Sequence, residues 1–113
     1  MHEWSICKSI LKTLQQAAQR QKFERVLSVT VGIGGLSCLD AQALQFGFEV
    51  FRQGSIAENA VLNVVDIEVK AKCPECQHVF LATSRFPDCP LCGQAMCDII
   101  QGDDIIIQTI EVQ

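Results

Sequence analysis

With 113 residues, 49% of them hydrophobic, the chain can build one ordinary domain with a real core, or a small domain with a smaller satellite. Tyr is absent, Trp occurs once and the formal charge is −4, so neither an aromatic stacking surface nor a clustered basic stripe is available, and no nucleic-acid partner is expected. The start of the chain lacks a basic segment followed by an apolar run, no apolar stretch approaches membrane-spanning length, and Cys7, Cys38 and Cys97 stand alone. The expectation is therefore a cytoplasmic protein with reduced thiols and no membrane segment.

Taken in chain order, residues Ser5 to Gln21 carry Cys7, Ile10, Leu11, Leu14, Ala17 and Ala18 at three- and four-residue steps. That spacing predicts an amphipathic helix beginning almost at the first residue, with Ser5 as a possible cap. Arg25 to Ile33 alternates, with Leu27, Val29, Val31 and Ile33 on one face and Val26, Ser28 and Thr30 on the other, which predicts a strand covered on one side. Gly32, Gly34 and Gly35 then break it; no Gly-Lys-Ser/Thr follows, so they are read as turn residues and not as a phosphate loop.

Asp40 is a good N-cap for a second helix to about Gln53, with Leu44, Phe48 and Phe51 as its main stripe, Phe46 and Val50 alongside, and Gly54 at its C-terminal end. Gly47 inside it suggests close packing. Ala60 to Ala71 predicts one long strand, with Val61, Val65, Ile67 and Val69 sharing a face and Asp66, Glu68 and Lys70 opposite. Ile105 to Val112, entered through Gly102-Asp103-Asp104, predicts a last strand whose Ile-Ile-Ile run needs a pairing partner.

Between these two strands lies CPECQHVFLATSRFPDCPLC, two Cys-x-x-Cys pairs with twelve residues between them. Each pair can wrap a tight knuckle, and two facing knuckles bring four thiolates to one tetrahedral zinc ion. Pro74, Pro90 and Gly93 suit the sharp turns. Cys73, Cys76, Cys89 and Cys92 are thus the expected ligands of a structural Zn(II). The fold class is α+β: two helices packed on a small three-stranded sheet, with a zinc-ribbon module inserted before the last strand. The expected division is an α+β domain over residues 1–71 plus 98–113 and a zinc-binding domain over 72–97.

Met1, His2 and Glu3 carry a second kind of chemistry. A free α-amine, the deprotonated backbone nitrogen of His2 and its imidazole can chelate one ion in a plane, a nitrogen set that suits Ni(II) or Cu(II) over zinc. Met1 should be retained because His2 is bulky, and Glu3 can add a carboxylate or orient the site. On spacing alone, solvated and inert residues are the stronger reading. No catalytic constellation is present, so an enzyme is not expected.

The segments MHEWSICKSIL, VTVGIGGLSCLD, LQFGFEVFRQGSIAE, CPEC, CPLCG and DDIIIQTIEVQ together resemble the HypA/HybF family of hydrogenase-maturation nickel metallochaperones, in order and over essentially the whole chain. The resemblance implies Ni(II) carried transiently at Met1, His2 and Glu3, and zinc at the four ribbon cysteines. It also implies a nickel-handling maturation GTPase as partner and delivery to the [NiFe]-hydrogenase large-subunit precursor, with urease maturation factors served by some members. One departure is that Gln77, not His, follows Cys76, with His78 one place further, which weakens a His-for-Cys ligand exchange there and leaves His78 as an exposed ribbon residue or a pH-sensitive neighbour of the site. Two other classes stay open at this point. A zinc-ribbon adaptor explains the cysteines but gives the first residues no role. A thiol–disulfide enzyme needs a Cys-x-x-Cys pair opening a helix after a strand, which this chain lacks.

Overall fold

The computed structural model describes residues 2–113, with side chains described from residue 3 onward. The elements run α1 (His2–Gln21), β1 (Val26–Gly34), α2 (Ala41–Phe51), β2 (Val61–Ile67), β3 (Lys70–Lys72), β4 (Val79–Leu81), β5 (Asp98–Gln101) and β6 (Ile105–Val112). Two compact units share the chain. The first comprises Met1–Val31, Leu39–Val65 and Ile106–Gln113; the second comprises Gly32–Cys38 and Asp66–Ile105.

In the first unit, α1 buries Cys7, Ile10, Leu14 and Ala17, the stripe its spacing predicts. The helix begins earlier than Ser5, so Ser5 is an interior residue and not a cap. An acidic residue in the first turn, Glu3, suits the positive end of the helix dipole. Helix α2 starts where Asp40 predicts: its carboxylate accepts from the backbone amides of Gln42 at 2.9 Å and Ala43 at 3.4 Å. It stops at Phe51, with Arg52 as C-cap and Gly54 in the turns beyond. Leu44 and Phe48 are fully buried, whereas Phe46 and Val50 are exposed.

The two helices meet at Gly47. A Cβ there would lie 3.0 Å from Cys7 Sγ and 3.1 Å from Trp4 Cδ1, so any side chain would make these neighbours give way by a few tenths of an ångström. Around it, Cys7 Sγ donates to the Leu44 carbonyl at 3.3 Å and Trp4 stands edge-on to Phe51, ring centres 5.6 Å apart. The Lys8 ammonium sits 5.1 Å from the centre of the Phe51 ring.

Strands β2, β1 and β6 form one sheet in that order, so the isoleucine-rich β6 finds its partner in β1. Arg25 and Gln113 exchange backbone hydrogen bonds of 3.2 and 2.8 Å beside the start of β1. The facing residues differ from the sequence expectation in two places. In β1, Val26 is fully buried and Leu27 is 45% exposed; the strand is the middle one of three and Val31 to Gly34 are buried in succession, so covering is not confined to one face. In β2, Leu62 is buried while Val61 and Val65 are exposed. The run Val-Leu-Asn-Val-Val has apolar residues on both faces, so alternation alone assigns it either way.

The second unit holds a second three-stranded sheet, β4-β3-β5, in place of a ribbon attached to one continuous strand. The long strand expected over Ala60 to Ala71 is two, β2 and β3, separated at Glu68–Val69. There the backbone takes other partners. Glu68 O accepts from Gln101 Nε2 at 2.9 Å, and Val69 O accepts from the Ala82 amide at 2.9 Å. Gly102, at φ +95°, passes so close that a Cβ would lie 2.7 Å from Val69 Cα. Gly34 is equally constrained, since its Cβ would overlap the Gly102 carbonyl. Gly32 and Gly34 thus lie within β1 and do not break it, contrary to expectation; Gly34 serves close backbone approach, and the turn begins at Gly35.

Candidate metal centre

Two knuckles of the same construction build the site. In the first, the Gln77 amide donates to the Cys73 carbonyl at 3.0 Å and the Cys73 amide to the His78 carbonyl at 2.9 Å. In the second, the Gly93 amide donates to the Cys89 carbonyl at 3.0 Å and the Cys89 amide to the Gln94 carbonyl at 2.8 Å. Each turn closes with a left-handed residue, Gln77 at φ +67° and Gly93 at φ +79°. Glycine takes that conformation freely, whereas a side chain costs about 1–2 kcal/mol there. Gln77 uses its side chain locally: Nε2 donates to the Pro74 carbonyl at 3.2 Å.

The knuckles bring the four thiols Cys73, Cys76, Cys89 and Cys92 within 4.8 Å of one another. Across the pair, Cys73 Sγ lies 3.5 Å from Cys92 Sγ and Cys76 Sγ lies 3.7 Å from Cys89 Sγ. Four sulfurs about 2.3 Å from a tetrahedral ion lie roughly 3.8 Å apart, so the set fits a thiolate-bound zinc. Among the described residues, no histidine or carboxylate takes part in this cluster.

Backbone amides aim at the sulfurs. The Cys76 amide donates to Cys73 Sγ at 3.4 Å, and the Leu91 and Cys92 amides donate to Cys89 Sγ at 3.4 and 3.5 Å. Chiefly through the Cys76 amide, and against the cost of burial, the Cys73 thiol is lowered to about 6. Burial opposes ionisation of Cys89 too, but the Cys92 and Leu91 amides prevail and lower it. The Gln94 amide acts to lower Cys92, yet Cys73 and burial push that thiol up to about 12. The first thiol of each pair is thus lowered and the second raised, so a cation held by all four would displace protons. Metal binding here would be a proton-releasing event.

Cys97, which sequence reasoning left as an isolated thiol, packs with Ala71, Cys73 and Cys89 in one buried cluster, against Phe80, Ala82 and Ile99. Burial first, and Cys73 next, raise its thiol to about 11, so it stays neutral beside the metal ligands. Its position five residues after Cys92 was the available signal. His78 stacks on Phe80 with ring centres 5.9 Å apart, and its backbone carbonyl serves the first knuckle.

Of the N-terminal residues, Met1 lies outside the described residues, as does the side chain of His2. Glu3 Oε2 accepts from the Asp40 amide at 3.1 Å, a contact between residues 37 apart that no local pattern announces. The start of α1 is thereby tied to the cap of α2, one turn from the contacts that Trp4, Cys7 and Lys8 make.

The family described as "Hydrogenase/urease nickel incorporation, metallochaperone, hypA" matches residues 1–112. A curated relative, hydrogenase maturation factor HypA of Azotobacter chroococcum mcd 1, is 36% identical over 113 residues, covering all of both chains. Two solution structures are similar. One, of the Ni metallochaperone HypA from Helicobacter pylori, has TM-score 0.79 and 28% identity over 97% of this chain and 96% of that one. The other, of a HypA protein, has TM-score 0.81 and 30% identity over 100% of this chain and 97% of that one.

Proposed function

Because this chain belongs to the HypA family of hydrogenase/urease nickel-incorporation metallochaperones, which are maturation factors and not enzymes, we propose that it carries Ni(II) at Met1, His2 and Glu3 and hands it on during [NiFe]-hydrogenase maturation. The recipient is the hydrogenase large-subunit precursor, reached together with a nickel-handling GTPase in the cytoplasm. Nickel is the cargo, held at the N-terminal end of the α+β domain expected over residues 1–71 and 98–113. Zinc, at the four cysteines of the domain over 72–97, is structural.

The observation that carries this reading is the tie between Glu3 and Asp40. A carrier needs donors held in place yet open to an acceptor. Glu3 is fastened by the Asp40 amide in an exposed contact, and α1 begins at His2, so the first residues leave a helix end that is anchored by Trp4, Cys7 and Lys8. Anchoring lowers the entropy lost when the chain end wraps an ion. Exposure keeps the ion exchangeable, as delivery requires. Among the described residues no helix is long and apolar enough to cross a membrane.

Calorimetric titration of Ni(II) into zinc-loaded protein with a native N-terminus tests the site. One nickel per chain that is lost in His2→Ala, with zinc content unchanged, is the expected result. Equal nickel binding by both proteins removes His2 from the mechanism, and no specific binding by either leaves a zinc-ribbon adaptor as the account. Retention of the GTPase on immobilised wild-type protein tests the partnership separately.

A further inference from the structure

The sheet β4-β3-β5 has two faces of opposite character. Ala71, Phe80 and Ile99 are register partners and pack toward the buried cysteine cluster. Side chains alternate along strands, so the neighbours of these residues look the other way. On that outer face the middle strand presents Lys70 and Lys72, with Leu81 and Val79 as their partners on β4. Val79 is 48% exposed and Leu81 64% exposed. On the β5 side, Asp98 stands opposite Lys72, and Ile100, 52% exposed, is the extra residue where the register shifts between Lys70 and Ala71.

Three large aliphatic side chains left in water around two lysines are a costly surface with no role in holding the metal knuckles. Neither lysine has a carboxylate within ion-pairing distance among the described residues, Asp98 included; the ion pair of this unit is Arg85–Asp103. Lys70 and Lys72, two residues apart on this face with Asp98 in register beside Lys72, leave it a net positive charge in a chain whose own net charge is −4. Apolar patches of this kind, carried on a rigid sheet, mark interaction sites, and the bulge at Ile100 is a device that sheets use near such sites.

We propose that this outer face is a docking surface for a segment of another protein bearing carboxylates among aliphatic side chains. The carboxylates pair with Lys70 and Lys72, and the aliphatic groups cover Val79, Leu81 and Ile100. Desolvation of the lysines by these flanking groups makes the pairs discriminate by charge, since a basic or uncharged segment would leave both ammonium groups buried without a counter-ion. The surface is independent of the nickel reading, because it uses none of Met1, His2 and Glu3.

Selection from a display library of random dodecapeptides on the zinc-loaded full chain tests the proposal, followed by anisotropy titration of the enriched peptides. The expected enrichment is in Asp and Glu interleaved with Val, Ile and Leu. Binding should weaken by about tenfold or more in Lys70→Glu/Lys72→Glu and in Leu81→Ser, at positions where Lys72 and Leu81 are exposed and Lys70 is half-buried. Unchanged zinc content and melting temperature in both variants separate loss of docking from loss of fold. Enrichment of basic or charge-free peptides, no enrichment at all, or binding indifferent to these variants would overturn it. So would self-association of the chain, or binding of single-stranded nucleic acid, that is abolished by the same substitutions.

Discussion

The two units of this molecule are held together by different physics. The first contains α1, α2 and a conventional apolar core, in which Leu14, Leu44, Phe48, Val26, Val29 and Val31 are all fully buried. Each such burial contributes about 1.5–3 kcal/mol before chain entropy is counted. The ribbon of the second has a buried cluster of four residues, Ala71, Cys73, Cys89 and Cys97, three of which are thiols. A cluster that small is little to order strands and turns by itself, and the proposed structural zinc would supply the difference. On the proposed reading, one unit folds by excluding water and the other by binding a metal.

Removing zinc from the loaded protein should separate the two units most sharply. Structural zinc contributes on the order of 10–16 kcal/mol in small zinc-binding peptides. Stripping it with a chelator, or replacing Cys73 by Ser, should abolish hydrogen-exchange protection at the Cys73, Gln77, Cys89 and Gly93 amides. The α1 and α2 amides should remain protected. Loss of protection in both units together, or in neither, would contradict the division. In the opposite direction, Phe48→Ala should cost about 3–5 kcal/mol by leaving a cavity in the first unit, read as a fall in denaturant midpoint, with zinc still at one per chain.

A finer contrast lies within the metal site. Gln77 and Gly93 hold the same left-handed position in the two knuckles, but only Gly93 does so without strain. Gln77→Gly should therefore gain about 1 kcal/mol, less whatever the Gln77–Pro74 hydrogen bond contributes, and appear as tighter zinc retention in a competition assay. Equal or weaker retention would mean that the side-chain bond outweighs the backbone cost.

The contrast also explains what could be read from the sequence. Metal knuckles are local: spacing, proline and glycine define them within four residues, so Cys73, Cys76, Cys89 and Cys92 were legible together with their geometry. Helix α1, the cap at Asp40 and the close approach at Gly47 were legible for the same reason. Periodicity and capping are properties of neighbouring residues. What escaped depends on partners far along the chain. The face of β2 could not be assigned because Val61, Leu62, Val64 and Val65 put apolar groups on both sides. The break at Glu68–Val69 is set by Gln101, Ala82 and Gly102, and the tie of Glu3 to Asp40 spans 37 residues. The nickel reading rested on family resemblance, since three residues at a chain start carry too little pattern to stand alone.

On the proposed reading one chain holds two metals on opposite terms, zinc to keep and nickel to give away. Native mass spectrometry of protein loaded with one zinc and one nickel, before and after challenge with a nickel chelator of moderate affinity, tests it most directly. Loss of nickel with full retention of zinc, and no nickel to lose in His2→Ala, is the predicted result. Retention of nickel, release of both ions together, or nickel seated in the four-cysteine site of the His2→Ala protein would contradict it.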